Sequence, residues 1–268
     1  MWLVDRRYSN EEKMPGGEYV SWVKRMDAGY PFETPPTFRA VLNAELPQHP
    51  EIQEDVERLF DSYKKGFSNK RLSRYENERL KEIAQFGALR FADHFRVLRW
   101  GALWNESETS YFFQSIGGYH GAKLRRYSDF IHEILVHEIV SFGDYARVNS
   151  LEMAFDQFVC IKMLNTKYVF LADNSEPLLV PERNGAGWVA SDWSFVSSAN
   201  AEIDSLKTLS DAKACIILDE FETRMADLAP GAKGSVALTA MSPDALEYEV
   251  NIDDDALVVF SEIWYPVG

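Results

Sequence analysis

The spacing of apolar positions separates a long stretch read mainly as helices from a C-terminal stretch read as strands. Pro50 opens a segment in which Ile52, Val56, Leu59, Phe60 and Tyr63 recur at the spacing of one helix face, and Gly66 ends it. A second helix starts at Ser73, where Glu76 completes a capping box, and it carries Leu80, Ile83, Ala84 and Gly87 on one side. Together they predict a helical hairpin at about residues 50–94. Further helices are read from Ala122 to Val140, Leu151 to Leu164 and Ala201 to Leu209. Short apolar runs at Phe38–Leu42, Phe95–Leu98, Lys167–Leu171 and Ala214–Leu218 are read as strands, with Asn165–Thr166 as the hinge before the third. Residues 10–37 hold Pro15, Gly16, Gly17, Gly29, Pro31, Pro35 and Pro36 and are read as a connecting loop, as is the polar and aromatic stretch from Gly101 to Tyr119.

After Pro230–Gly231 the apolar period becomes two. Val236, Leu238 and Ala240 alternate, then Leu246, Tyr248, Val250 and Ile252, then Val258, Phe260 and Trp264, which predicts three strands with turns at Met241–Asp244 and Asp253–Asp255. The short acid turn predicts that Leu246–Ile252 pairs antiparallel with Leu257–Trp264. The fold class expected is α+β, a mixed α/β main body over residues 1–230 followed by the start of an antiparallel β-domain over 231–268.

Charge narrows the partners. With 28 Lys plus Arg against 42 Asp plus Glu the chain carries a net charge of -14, a field that repels nucleic acid and anionic membrane surfaces. No apolar run reaches the ~20 residues of a membrane helix. Met1 leads into Trp2–Tyr8 without the basic start, apolar centre and small-residue site of a signal peptide, a pattern that by itself points to the cytoplasm. Cys160 and Cys215 sit in apolar surroundings that suit buried thiols, and a disulfide between them stays open on sequence alone.

The motifs for common chemistry are missing. His132-Glu133 and His137-Glu138 invite a zinc-protease reading, but histidines five apart on an α-helix are rotated by roughly 140 degrees, so a solvated helix face is expected instead. Asp253–Asp255 lacks the alternating oxygen ligands of a calcium loop. Ser115-Ile-Gly-Gly118 has neither the spacing nor the context of a dinucleotide or phosphate loop, so no catalytic residue, metal or cofactor is assigned.

The most distinctive stretch is Asn105 to Tyr127, ending Ser115-Ile-Gly-Gly-Tyr-His-Gly-Ala-Lys-Leu-Arg-Arg-Tyr127. Its glycines permit close backbone approach, and Lys123, Arg125 and Arg126 gather positive charge in a negative chain. Asn105, Tyr119, His120, Lys123, Arg125, Arg126 and Tyr127 are the candidate ligand-binding residues, with the two tyrosines as ring platforms and the cations as anion contacts. The competing reading is that the arginines pair with internal carboxylates. A split is expected in which one arginine is buried and the other faces a cleft, because successive helical residues lie about 100 degrees apart.

This string, together with Met1-Trp-Leu-Val-Asp-Arg-Arg-Tyr8, Met163-Leu-Asn-Thr-Lys-Tyr168 and Val259-Phe-Ser-Glu-Ile-Trp-Tyr-Pro-Val-Gly268, resembles the YfhO family of bacterial membrane proteins in its Bacteroidetes-type form. The four blocks keep the family's order and span the chain. They depart from it at Phe113-Gln114, where relatives often carry His-Lys. The resemblance implies an extracytoplasmic domain of a polytopic glycosyltransferase that uses lipid-phosphate sugars to modify cell-envelope polymers, with both ends of the chain continuing in the parent protein. The catalytic acid of such enzymes lies between membrane helices, so this part is expected to be inactive alone. Its implied partners are the transmembrane part of the same polypeptide and a lipid-phosphate sugar or envelope glycan. The alternative is a non-catalytic glycan- or protein-binding module.

Overall fold

The computed structural model describes residues 32–67, 71–102, 106–118, 124–242 and 245–263. Helices α1 (Pro36–Glu45), α2 (Gln53–Gly66) and α3 (Arg74–Ala92) lead into strand β1 (Arg96–Arg99), the short helix α4 (Glu108–Phe112) and strand β2 (Gln114–Ser115). A long helical run follows, α5 (Arg125–Phe130), a π-helical turn (Ile131–Leu135) and α6 (Val136–Ala146), then the short helices α7 (Leu151–Phe155) and α8 (Val159–Met163). Next come β3 (Thr166–Phe170), β4 (Leu178–Leu179), β5 (Gly187–Val189), β6 (Trp193–Val196), α9 (Ala199–Leu206) and β7 (Cys215–Leu218). Strands β8 (Gly234–Ser242), β9 (Ala245–Ile252) and β10 (Val258–Phe260) complete an α+β fold. One sheet has the order β2-β1-β3-β4, and β5 with β10, β6 with β7, and β8 with β9 form two-stranded sheets. Two compact units divide the chain. Met1–Asp93, Val97–Tyr119 and Val169–Leu178 form the first, and His94–Arg96, His120–Tyr168 and Leu179–Gly268 the second.

In the first unit, Phe38–Leu42 is helical and not the strand its apolar run predicts. Pro36 sits in the first turn of α1, where its missing N–H costs nothing. Phe38, Val41, Leu42 and Glu45 then fall on one buried face. Phe38 packs on Phe112, Phe113 and Phe170 at centroid distances of 5.3, 5.4 and 5.1 Å, and Phe86 adds contacts to Phe112 and Phe113. Phe113 is thus a core residue. The loop expected at 101–119 contains α4 and β2, and burial of Phe112 and Ile116 explains why residues 106–118 order. Helices α2 and α3 pack as a hairpin and approach closely at Gly87, where a Cβ would stand 3.1 Å from Leu59 Cδ1. The capping box forms: Ser73 Oγ accepts from Glu76 N at 3.2 Å, and Glu76 Oε2 accepts from Ser73 N at 2.7 Å. Ser73→Ala is expected to lower stability by about 1 kcal/mol in urea unfolding with an unchanged slope.

In the second unit, the helix read over Leu151–Leu164 is two short helices. The break at Asp156–Phe158 lets Phe158 stack on Phe142 at 4.2 Å while Phe155 reaches the same ring at 5.2 Å. Strands β6 and β7 run parallel and α9 connects them, a βαβ unit of which the sequence signalled only the helix and β7. The expected pairing of Leu246–Ile252 with Leu257–Trp264 does not form. Strand β9 pairs antiparallel with β8, and β10 pairs with β5 through Val258–Val189, Val259–Trp188 and Phe260–Gly187. Glycine suits position 187, because a Cβ there would lie 2.7 Å from Val236 Cγ1 on β8 and 3.2 Å from Phe260 Cδ1 on β10. Asp253 is accordingly not a hairpin turn between those strands; its carboxylate accepts from Lys233 N at 2.8 Å. Trp264 and Tyr265 lie outside the described residues.

Candidate functional site

Of the residues expected to bind a ligand, Asn105, Tyr119, His120 and Lys123 lie outside the described residues. The other three open helix α5. Arg125 and Arg126 are both exposed, so the expected division into one buried and one open arginine is not met. At the first turn of α5, Tyr127 and Ser128 are the half-buried residues. Arg125 makes a loose contact with Asp129 at 3.9 Å, its side chain 95% accessible. Tyr127 stacks on Phe130 of its own helix at 6.3 Å, and burial pushes its hydroxyl up to about 12, an effect that the nearby positive charge of Arg96 opposes.

Arg96 belongs to a polar cluster that sequence reasoning missed. It is buried on β1 and donates from Nη1 to Leu164 O at 3.0 Å and Ser261 O at 2.6 Å. Its Nη2 lies 3.5 Å from Glu262 Oε2. The other oxygen of Glu262 meets His94 Nε2 at 2.5 Å, and His94 Nδ1 lies 3.1 Å from Met241 Sδ. Burial favours the neutral form of Glu262, but the His94 hydrogen bond and the charge of Arg96 prevail and lower its pKa. Tyr248 Oη is buried without a hydrogen-bond partner among the described residues, and burial, with Glu262 adding to it, raises the hydroxyl to about 12. The cluster thus holds a fixed carboxylate, two cationic or donor groups and a phenol that stays protonated. Both ring nitrogens of His94 face side chains of the fold, an arrangement suited to holding a structure and not to moving a substrate proton. The signal available in the sequence was the alternation of His94 and Arg96 about Phe95 in an otherwise apolar strand.

Asn165 anchors the same region. It adopts the left-handed conformation at φ 55° and is 1% exposed. Its carbonyl accepts from Arg96 N at 3.0 Å, its Nδ2 donates to His94 O, and its Oδ1 accepts from Arg183 Nη1. The hinge read at Asn165–Thr166 is therefore a rigid corner tied to the cluster.

The pair of His-Glu dipeptides divides. His132, Glu133 and His137 are exposed as expected, whereas Glu138 turns inward and is not part of a solvated face. It stands four residues after Ile134 and four before Phe142, both buried. Its Oε1 accepts from Cys160 N at 2.7 Å and its Oε2 from Ile161 N at 3.0 Å, closing the exposed amides of α8. Burial outweighs these bonds and the charge of Lys162 and pushes Glu138 up to about 7. Cys160 and Cys215 are buried free thiols, and burial holds both in the protonated form, Cys215 up to about 11.

Comparison with protein-family models, curated proteins and solved structures finds no match. The resemblance to the YfhO family accordingly stands on the four sequence blocks. Among the described residues no helix is long and apolar enough to cross a membrane.

Proposed function

We propose that this chain is an extracytoplasmic domain of a polytopic membrane glycosyltransferase of the YfhO type, recognising the lipid-phosphate end of a sugar donor while the transmembrane part carries out transfer. The observation that carries this reading is the exposure of both Arg125 and Arg126 inside the most distinctive sequence block of a chain with net charge -14. A loose surface ion pair such as Arg125 with Asp129 contributes about 0–1 kcal/mol and leaves the guanidinium available to an outside anion. Arginine suits phosphate because its planar donors match two phosphate oxygens at once. The engagement of both ring nitrogens of buried His94 by Met241 and Glu262, and the protonated thiols, add support for a binding rather than a catalytic role.

Arg125→Ala and Arg126→Ala are each expected to change the stability of this chain by less than about 0.5 kcal/mol, as exposed positions do. In the intact parent protein each is expected to reduce glycosyl transfer in a cell-based complementation assay by at least tenfold. Normal complementation by both variants, at normal protein levels, would remove the anion-contact role.

A further inference from the structure

A second group of chemistry-bearing side chains lies in the first unit, apart from the cluster around Arg96. Glu45 closes helix α1, His49 sits between the two 3-10 turns Leu46–Gln48 and Pro50–Ile52, and Asp93 caps the C-terminus of α3. One ligand atom from each lies within 4.8 Å of the others. Glu45 is 0% exposed, and His49 and Asp93 are half-buried. His49 Nε2 stands 3.7 Å from Glu45 Oε2, longer than a hydrogen bond but a fitting separation for two ligands of one ion at ~2.1 Å from each. The opposite ring nitrogen is held from outside the group, since His49 Nδ1 lies 3.0 Å from Glu51 Oε1. A carboxylate on the far nitrogen fixes the tautomer that presents Nε2 as a lone pair, the arrangement that accompanies metal-bound histidine.

We propose that Glu45, His49 and Asp93 bind one divalent transition-metal ion, with Glu51 orienting the histidine. One imidazole nitrogen with two carboxylates suits borderline Zn²⁺, and Mn²⁺ as a harder ion that still accepts imidazole, over Ca²⁺ or Mg²⁺, which prefer oxygen alone, and over Cu⁺, which prefers sulfur. Three protein ligands leave coordination positions open for water or an anionic group. The histidine spacing gave no hint of this, because the donors come from a helix end, a turn and a second helix end that meet only in the fold.

The test uses the full 268-residue chain, stripped with EDTA and titrated with ZnCl2, MnCl2 or MgCl2. One equivalent of Zn²⁺ or Mn²⁺ is expected to bind and raise the melting temperature, with Mg²⁺ at least tenfold weaker. The Mn²⁺ complex is expected to show spin-echo modulation from an imidazole ¹⁴N. His49→Ala is expected to abolish that modulation, Asp93→Asn to weaken binding at least tenfold, and Glu51→Gln to weaken it by roughly 10-fold while keeping the modulation. Glu45→Gln is left aside because a buried carboxylate can be needed for folding, whereas the other positions are more open. No stoichiometric binding by the wild-type chain overturns the proposal. So does binding that survives both His49→Ala and Asp93→Asn, or a Mn²⁺ complex without nitrogen modulation.

Discussion

Asn165→Ala is expected to destabilise the protein by about 3 kcal/mol or more, among the largest effects of any polar substitution in the second unit. The amide of Asn165 donates to the carbonyl of His94 and accepts from Arg183, and both partners lose a bond when the side chain is removed. A buried polar group left unpaired costs about 1–3 kcal/mol. A backbone term adds to this. At φ 55° an asparagine is tolerated, but an alanine pays about 1 kcal/mol for its Cβ. Asn165→Gly removes the same hydrogen bonds without that steric cost, so it is expected to be less damaging than Asn165→Ala by about 1 kcal/mol. Urea unfolding of the two variants separates the contributions. Equal losses would mean that the left-handed backbone costs nothing, and an Asn165→Ala loss below about 1 kcal/mol would mean that the amide network is dispensable.

Glu138→Gln is expected to change how stability depends on pH. Folding raises the Glu138 carboxyl from its ordinary 4.5 to about 7, chiefly through burial. Between those values the folded state holds a proton that the unfolded chain releases, so the group's contribution falls as pH rises from about 4.5 and levels off above 7. The full swing between 4.5 and about 7 has an upper bound of about 3.5 kcal/mol. The neutral glutamine lacks this titration. Relative to wild type, Glu138→Gln should therefore become progressively more stable as pH rises from 5 to 8, read as the difference between the two melting curves. A difference that stays flat with pH would place the Glu138 carboxyl at its ordinary value. A charged carboxylate here faces the amides of Cys160 and Ile161 with Lys162 nearby, so loss of one accepted bond in the glutamine variant shifts the whole curve but not its slope.

These two residues mark where the sequence was and was not readable. Asn165–Thr166 was read as a hinge from its place between a helix and a strand, and asparagine's tolerance of the positive φ found there is a local property. What the amide bonds to, residues 94 and 183, is set by chain segments far apart. Glu138 lay in plain view among apolar residues, at four from Ile134 and four from Phe142, so its inward direction was present in the helical period. It was read as solvated because a carboxylate is assigned to water unless a partner is known, and its partners are backbone amides that a side-chain motif search cannot reveal.

The sequence by itself determined the α2–α3 hairpin with its capping box, the α+β class and the alternation of the late strands. Each is signalled locally, by the period of apolar positions and by cap chemistry within a few residues. Tertiary structure decided the rest. Phe38–Leu42 became helix because Pro36 starts one and an aromatic cluster buries its face. Strand β10 pairs with β5 and not with β9, and Gly187 on β5 leaves space for the side chains of Val236 and Phe260. The groups around Arg96 and around His49 assemble from segments that no spacing rule connects. The physical reason is common to all of them: local propensity differs by a kcal/mol or less between alternatives, and burial of large apolar side chains and pairing of buried polar groups are worth more than that.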